Sequence, residues 1–188
     1  MKIGILGGTF NPVHIGHLIL AEEIREKLGL NKVIFVPAFL PPHKENGSIA
    51  SAAARLAMVR MAVKTNPNFF VSDVEIKRKG KSYTIDTVKE FNKIYPEDEL
   101  YFITGSDLLN YLDDWKDLRN IIQIVKFVVA TRPGFPLDKI PSYIKTVSIR
   151  AVDVSAFEIR QCIKEKRSFR YLVPESVLKY INKKRLYR

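Results

Sequence analysis

Two of the chain's three histidines, His14 and His17, stand three residues apart in the stretch GGTFNPVHIGH, with Gly7 and Gly8 ahead of them and Gly16 between them. If Ile15 opens a helix, residues at this spacing face the same side. Both imidazoles then point toward the helix N-terminus, where unpaired backbone N–H groups and the helix dipole already favour an anion. Two glycines placed directly after a strand let the backbone turn sharply and let a ligand approach with no Cβ in the way. With Thr9 beside them, these residues make a close, donor-rich cradle for a polyphosphate. The spacing fits neither GxxxxGK[ST] nor GxGxxG, so neither the P-loop nor the dinucleotide fingerprint applies. A histidine pair can also be half of a zinc site. Here no cysteine lies nearby, no HExxH follows and the third histidine is the distant His43, so no protein-held metal is expected.

Further candidates lie where strands end. His43 and Lys44, in the Pro-led stretch PPHK, suit a phosphate. Gly105 and Asp107, in FITGSD, follow an apolar run, where a carboxylate can accept from ribose hydroxyls or simply serve a helix start. Thr84, in SYTIDT, reads in isolation as part of a helix start. Trp115 sits in DDWKD, a polar context that argues against deep burial. Ser155 and Arg160 offer a helix-start hydroxyl and a guanidinium.

These residues need a scaffold that brings strand ends together. Apolar runs bounded by Gly and Pro at Ile3 to Leu6, Val33 to Val36, Phe69 to Val71, Leu100 to Ile103, Phe127 to Ala130 and Thr146 to Ile149 read as strands. Helical spacing occupies Ile15 to Leu28, Ala52 to Lys64 and Thr84 to Ile94, with shorter pieces around Leu108 and Ile121. This alternation predicts an α/β fold with a doubly wound parallel sheet, whose ligand lies at the carboxyl ends of the strands. Ser155 to Lys166 and Pro174 to Arg185 read as two further helices, expected as a C-terminal helical appendage on one edge.

The 188 residues suit one substantial core, and no linker divides them, so residues 1–188 are expected to form a single domain. The apolar runs are strand-length, no cleavable leader is evident and the lone Cys162 allows no internal disulfide, which together point to a cytoplasmic protein. A net charge of +11 favours anionic partners, with the densest clusters at Lys77 to Lys81 and Lys183 to Arg188. No zinc-finger spacing, RNP-type pattern or long basic helix accompanies them, so neither nucleic acid nor membrane is expected as a partner.

The opening stretch resembles the signature of the nucleotidyltransferases that carry an HxGH motif on a Rossmann-like fold. Within that superfamily the chain is most similar to the bacterial nicotinate-nucleotide adenylyltransferases, through GGTFNPVHIGHL, PPHK, SYTIDT, FITGSD, Trp115, RPG at Arg132 to Gly134 and EIR at Glu158 to Arg160. The resemblance implies adenylyl transfer from ATP to nicotinate mononucleotide, with magnesium carried mainly on the ATP phosphates. It implies that His17 contacts the α-phosphate, that His14 and Arg160 act on the phosphate chain, and that Gly7, Gly8, Thr9, Phe10, Gly16, Gly105, Asp107 and Ser155 bind ATP. His43, Lys44, Thr84 and Trp115 are implied on the mononucleotide side, with Thr84 near the nicotinate carboxylate and Trp115 stacked on the pyridine ring. Two departures stand out. Asn11 replaces an Asp often seen in the motif and is expected to cap its own turn. Ala156 and Phe157 replace two hydroxyl residues of the family's Ile-Ser-Ser-Thr-x-Ile-Arg. The nearest rivals are a sister transferase for phosphopantetheine or a cytidylyl acceptor and, from another class, a non-catalytic nucleic-acid-binding module.

Overall fold

The computed structural model describes residues 1–41, 49–106, 115–131, 140–150 and 152–188. Six strands, β1 (Lys2–Gly8), β2 (Lys32–Pro37), β3 (Phe69–Val71), β4 (Glu99–Gly105), β5 (Lys126–Thr131) and β6 (Ile144–Ser148), form one sheet in the order β3-β2-β1-β4-β5-β6. Every pairing in it is parallel. Parallel neighbours need crossovers, supplied by α1 (Ile15–Leu28), α2 (Ala52–Val63), α3 (Val74–Arg78), α4 (Thr84–Ile94) and α5 (Leu118–Ile124), with α6 (Ala156–Lys164) and α7 (Glu175–Lys184) following β6. The strand order reverses direction between β1 and β4, the switch point at whose strand carboxyl ends open α/β sheets bind their ligands.

Successive side chains of a strand point to opposite faces, so a sheet covered on both sides divides its apolar residues between two cores. Leu6, Phe35, Ile103 and Val128 face a core shared with Ala21 and Ile24 of α1 and Met58 and Val59 of α2. Ile5, Ile34, Phe102 and Phe127 face the other, closed by Ile85, Val88 and Phe91 of α4 and Ile121 of α5. Gly4 leaves room in this packing: a Cβ there would lie 2.8 Å from Ile103 Cδ1, which would have to move.

The expected strands and long helices occur, with shifted ends. β1 continues through both glycines, β6 begins earlier, at Ile144, and α3 is an element that the apolar spacing does not announce. The two late helices follow the sheet, as expected, and are anchored in its core. Ile159 and Cys162 of α6 and Val177 and Ile181 of α7 are buried in the core that α1 and α2 close, and α7 packs against α2.

Candidate active site

The first loop is shaped differently from the expectation. Gly7 and Gly8 remain extended, paired with Val36 and Pro37, and the chain turns only afterwards, with Phe10 at φ 49°. Gly8 serves close packing instead. A Cβ there would lie 3.0 Å from the Phe10 ring, which folds back over the strand end and is 2% exposed. Phe10 is therefore a floor for the loop, and what it can offer a ligand is its backbone. Its ring meets His17 edge-on at 5.0 Å between centroids and Phe35 at 5.9 Å.

The histidine pair closes the start of α1. His14 is the N-cap, in extended conformation, and its backbone N–H donates to His17 Nδ1 at 3.2 Å. The rings lie 3.7 Å apart between centroids. Nδ1 of a neutral imidazole that accepts a hydrogen bond carries no proton, so the N–H of the His17 ring is at Nε2. A donor is thus fixed at the first turn of a helix that begins just beyond β1, beside the reversal of strand order. Gly16 serves the pair directly: a Cβ there would stand 3.1 Å from the His14 ring and 3.7 Å from the Val154 carbonyl. Its role is close packing of α1 on His14 and on the segment before α6.

That segment brings in the next candidates. Ser155 is the N-cap of α6 and accepts from Glu158 N at 3.1 Å, while its own hydroxyl lies 3.1 Å from Glu158 Oε2. Glu158 also accepts from Ser155 N at 3.2 Å, completing a capping box. One turn on, Arg160 Nη1 donates to the carbonyls of Asn11 at 2.9 Å and Ala156 at 3.0 Å, and so reaches the histidine loop. Phe157, in place of a hydroxyl residue, is 60% exposed, with its ring 5.8 Å from the Arg160 guanidinium carbon.

The Asn11 side chain reaches beyond its own turn. Its side-chain oxygen accepts from Ala50 N at 3.0 Å and from the Tyr187 hydroxyl at 2.9 Å, tying the loop to the start of α2 and to the chain beyond α7. A second tie is Arg55, on the first turn of α2 and 1% exposed. Its guanidinium donates to the carbonyls of Thr9 at 2.8 Å, Ala50 at 3.0 Å and Phe39 at 2.9 Å. Burial draws the Arg55 pKa below its ordinary value, and burial pushes the Tyr187 phenol well above its own. Neither residue stands out in the sequence. The one available signal is that Arg55 shares a helix face with Met58, Val59 and Ala62, all buried, so that it is a charge on an apolar stripe.

The other candidates gather farther along the sheet. Gly105 ends β4, paired with Ala130. Thr84 begins α4, half-buried, directly after Tyr83, and Ser82 binds the loop after β2 by accepting from Phe39 N at 2.9 Å and donating its own N–H to the Leu40 carbonyl at 2.9 Å. Trp115 is half-buried and braced edge-on by Phe102 at 5.7 Å and Phe127 at 5.5 Å, while its neighbour Lys116 lies 4.6 Å from the Tyr83 ring centroid. Trp115 and the start of α4 therefore border the same region. His43, Lys44 and Asp107 lie outside the described residues. Among the described residues no three His, Cys, Asp or Glu side chains cluster as a metal site.

A doubly wound sheet with a glycine-lined, imidazole-capped helix start at its point of reversal defines a nucleotide-binding α/β protein of the phosphate-transferring kind. The cytidylyltransferase-like family model matches residues 5–162. A protein of Desulfitobacterium hafniense (strain Y51) named as a probable nicotinate-nucleotide adenylyltransferase is 44% identical, with 100% of this chain and 96% of that relative aligned. One of the same name from Thermus thermophilus is 43% identical over the whole of both chains. The chain belongs to the nicotinate-nucleotide adenylyltransferases of the cytidylyltransferase-like family. The fold is also that of the Plasmodium falciparum nicotinic acid mononucleotide adenylyltransferase complexed with NaAD, at a TM-score of 0.80 and 19% identity, with 99% of this chain and 97% of that one covered. The same protein complexed with APC gives a TM-score of 0.79 at 20% identity, with 99% and 96% covered.

Proposed function

We propose that this protein transfers the adenylyl group of ATP to nicotinate mononucleotide, giving nicotinate adenine dinucleotide and pyrophosphate. An oxygen of the mononucleotide phosphate forms a bond to the α-phosphorus while the bond from that phosphorus to the bridging oxygen breaks, and the electron pair leaves with pyrophosphate. The attacking phosphate is already ionised near neutral pH, so no protein base or covalent intermediate is needed. The protein's part is alignment and stabilisation of charge. The observation that carries this reading is the orientation of His17, whose Nδ1 is held by the His14 N–H so that Nε2 presents the donor. His17 meets the α-phosphate, and His14, Thr9, Gly16 and the backbone of Gly7 to Phe10 line the phosphate chain. Arg160 lends its guanidinium from α6, whose start Ser155 caps. Gly105 and Asp107 serve the nucleoside end. His43 and Lys44 meet the mononucleotide phosphate, and Thr84 and Trp115 the nicotinate ring.

The donors beside the histidine loop are imidazoles and a guanidinium, which suit phosphate oxygens rather than a hard, oxygen-seeking cation. Magnesium therefore belongs to the reaction as a companion of the ATP phosphates, neutralising their charge. None of the described helices is long and apolar enough to cross a membrane, and we place the reaction in the cytoplasm, without nucleic acid as a partner.

The ring substituent sets specificity. A carboxylate only accepts hydrogen bonds, whereas a carboxamide must also place an NH₂ group. The first turn of α4 at Thr84 presents N–H donors and the positive end of a helix dipole. The half-buried Trp115 supplies the aromatic surface on which the pyridine ring stacks. Pyrophosphate release is to be measured with a panel of acceptors on one preparation. Nicotinate mononucleotide is expected to exceed nicotinamide mononucleotide in specificity constant by on the order of a thousandfold. Equal constants would overturn the donor-pocket argument. Release with phosphopantetheine or a cytidylyl acceptor, and none with either mononucleotide, would overturn the assigned substrate.

A further inference from the structure

The loop that carries the histidines is short, irregular and anchored by groups remote in sequence. Beneath it lies a polar cluster drawn from four elements. Arg55 of α2 holds the Thr9 carbonyl on one side and the Phe39 and Ala50 carbonyls on the other. Asn11, itself 5% exposed, receives the Ala50 N–H and the Tyr187 hydroxyl on its side chain and Arg160 on its backbone carbonyl. The chain bends unusually to deliver Tyr187: Arg185 and Tyr187 both adopt left-handed conformations, at φ 52° and 66°, which non-glycine residues avoid. Such backbone is held only where surrounding contacts demand it, and the Tyr187 side chain is packed against the core that α1, α2, α6 and α7 share. Arg160 and Arg55 are both close enough to act on the phenol electrostatically, and the hydroxyl, protonated near neutral pH with burial raising its pKa further, donates to Asn11.

We propose that Tyr187 and Arg55 are positioning residues for the transfer step: acting through Asn11 and the Thr9 carbonyl, they set the loop that aims His14 and His17. Arg55 ties the loops after β1 and β2 to one rigid cation, so that both rims of the crevice keep a common geometry. Tyr187 locks Asn11, and Asn11 in turn fixes the carbonyl on which Arg160 rests. Neither residue needs to touch a substrate, so their loss acts on the rate of transfer more than on acceptor binding. This inference rests on the proposed adenylyl transfer.

Tyr187→Phe removes one oxygen and keeps the half-buried ring, so it is expected to fold. Its kcat for pyrophosphate release is expected to fall about tenfold, with the KM for nicotinate mononucleotide within twofold of wild type, as expected for losing one buried hydrogen bond that organises the reacting groups. Asn11→Ala is expected to lower kcat at least as much, and the double variant no further, because the two side chains act in series. Arg55→Lys, which keeps the charge but not the three-way fork, is expected to lower kcat with a similar split. Wild-type kcat in folded Tyr187→Phe, or losses that multiply in the double variant, would overturn the proposal. The ¹H–¹⁵N signals of the two imidazoles give a readout independent of turnover: Tyr187→Phe should shift the His17 ring nitrogens, and unmoved signals would also overturn it. A wild-type protein that releases no pyrophosphate would refute the proposed function instead, and the ring signals would then decide the positioning role alone.

Discussion

α1 and α6 both begin with reciprocal hydrogen bonds between the N-cap residue and the residue three further on, yet the two starts are chemically opposite. At α1 the pair is His14 and His17, and at α6 it is Ser155 and Glu158. Both pairs satisfy backbone N–H groups that a helix start leaves unpaired. The imidazole pair does this with a lone pair at Nδ1 and puts the ring N–H of His17, the kind of group an anion seeks, at Nε2. The Ser-Glu pair uses the hydroxyl as both donor and acceptor and places a carboxylate of the chain's own at the positive end of the helix dipole. A phosphate approaching α6 meets an end already occupied by negative charge. What α6 contributes instead is Arg160, one turn further along, reaching across to the Asn11 carbonyl. On the proposed function, the first helix start offers a binding group and the second is a fastening.

The largest expected effect comes from breaking the first of these. His17→Ala is expected to lower kcat by roughly a hundred- to a thousandfold, the range for removing one aimed donor from a transferring group, while changing ATP affinity much less. Capping and catalysis are separable there. Glutamine at the third helical position can still accept from the His14 N–H, so His17→Gln should hold the thermal midpoint close to wild type and yet lose turnover as His17→Ala does. Unchanged turnover in either variant would show that the imidazoles at α1 are structural, and the contrast with α6 would disappear. An intermediate effect is expected at the strut between the helices. Arg160→Lys exchanges a planar fork for a point charge and should lower kcat/KM for ATP by about ten- to a hundredfold, the worth of a charged hydrogen bond. Steady-state kinetics with ATP varied would show whether the loss is there, and a wild-type value would remove Arg160 from the site.

The two helix starts also differ in how far the sequence discloses them. Glycines, a proline and paired histidines crowded after an apolar run mark the first loop as a candidate for chemistry, because ordinary packing does not call for that set. Its shape was less legible. The turn falls at Phe10, because Phe10 covers Gly8 and the strand ladder with β2 continues through both glycines. A glycine pair looks the same in sequence whether it turns or admits a ring. The central strands were legible because both faces of the sheet are covered there and β1, β2, β4 and β5 are nearly continuous buried runs. α3 was not, since five residues are too few to display a helical period. Arg55 and Tyr187 acquire their meaning only from tertiary closure: loops after β1 and β2 meet over one guanidinium, and a tyrosine beyond the last helix folds under a loop at the start of the chain. Asn11 is the bond between these two cases, legible as a motif position and illegible as to its partners.

The smallest effect tests the second half of the comparison. Ser155 is the residue whose chemistry alone suggests a phosphate ligand and whose geometry suggests a cap, and the two roles predict different losses on removing its hydroxyl. As a cap, Ser155→Ala leaves the Glu158 N–H without its acceptor and the Glu158 carboxylate with one donor fewer, costing about 1 kcal/mol of stability. For a chain of this length that is a fall of roughly 2–4 °C in the thermal midpoint. As a phosphate ligand, the same change would raise the KM for ATP by about tenfold while moving the midpoint little. With the hydroxyl already committed to Glu158 in both directions, the expected outcome is the first: a lowered midpoint by calorimetry and a KM for ATP within twofold of wild type. Glu158→Gln sharpens the point, since glutamine preserves the reciprocal pair but removes the carboxylate charge from the helix start. If α6 repels phosphate through that charge, the variant should keep its midpoint and bind ATP slightly more tightly. A weakened ATP affinity in Ser155→Ala, with stability unchanged, would instead make α6 a second phosphate-binding helix start and place the two ends of the comparison on the same footing.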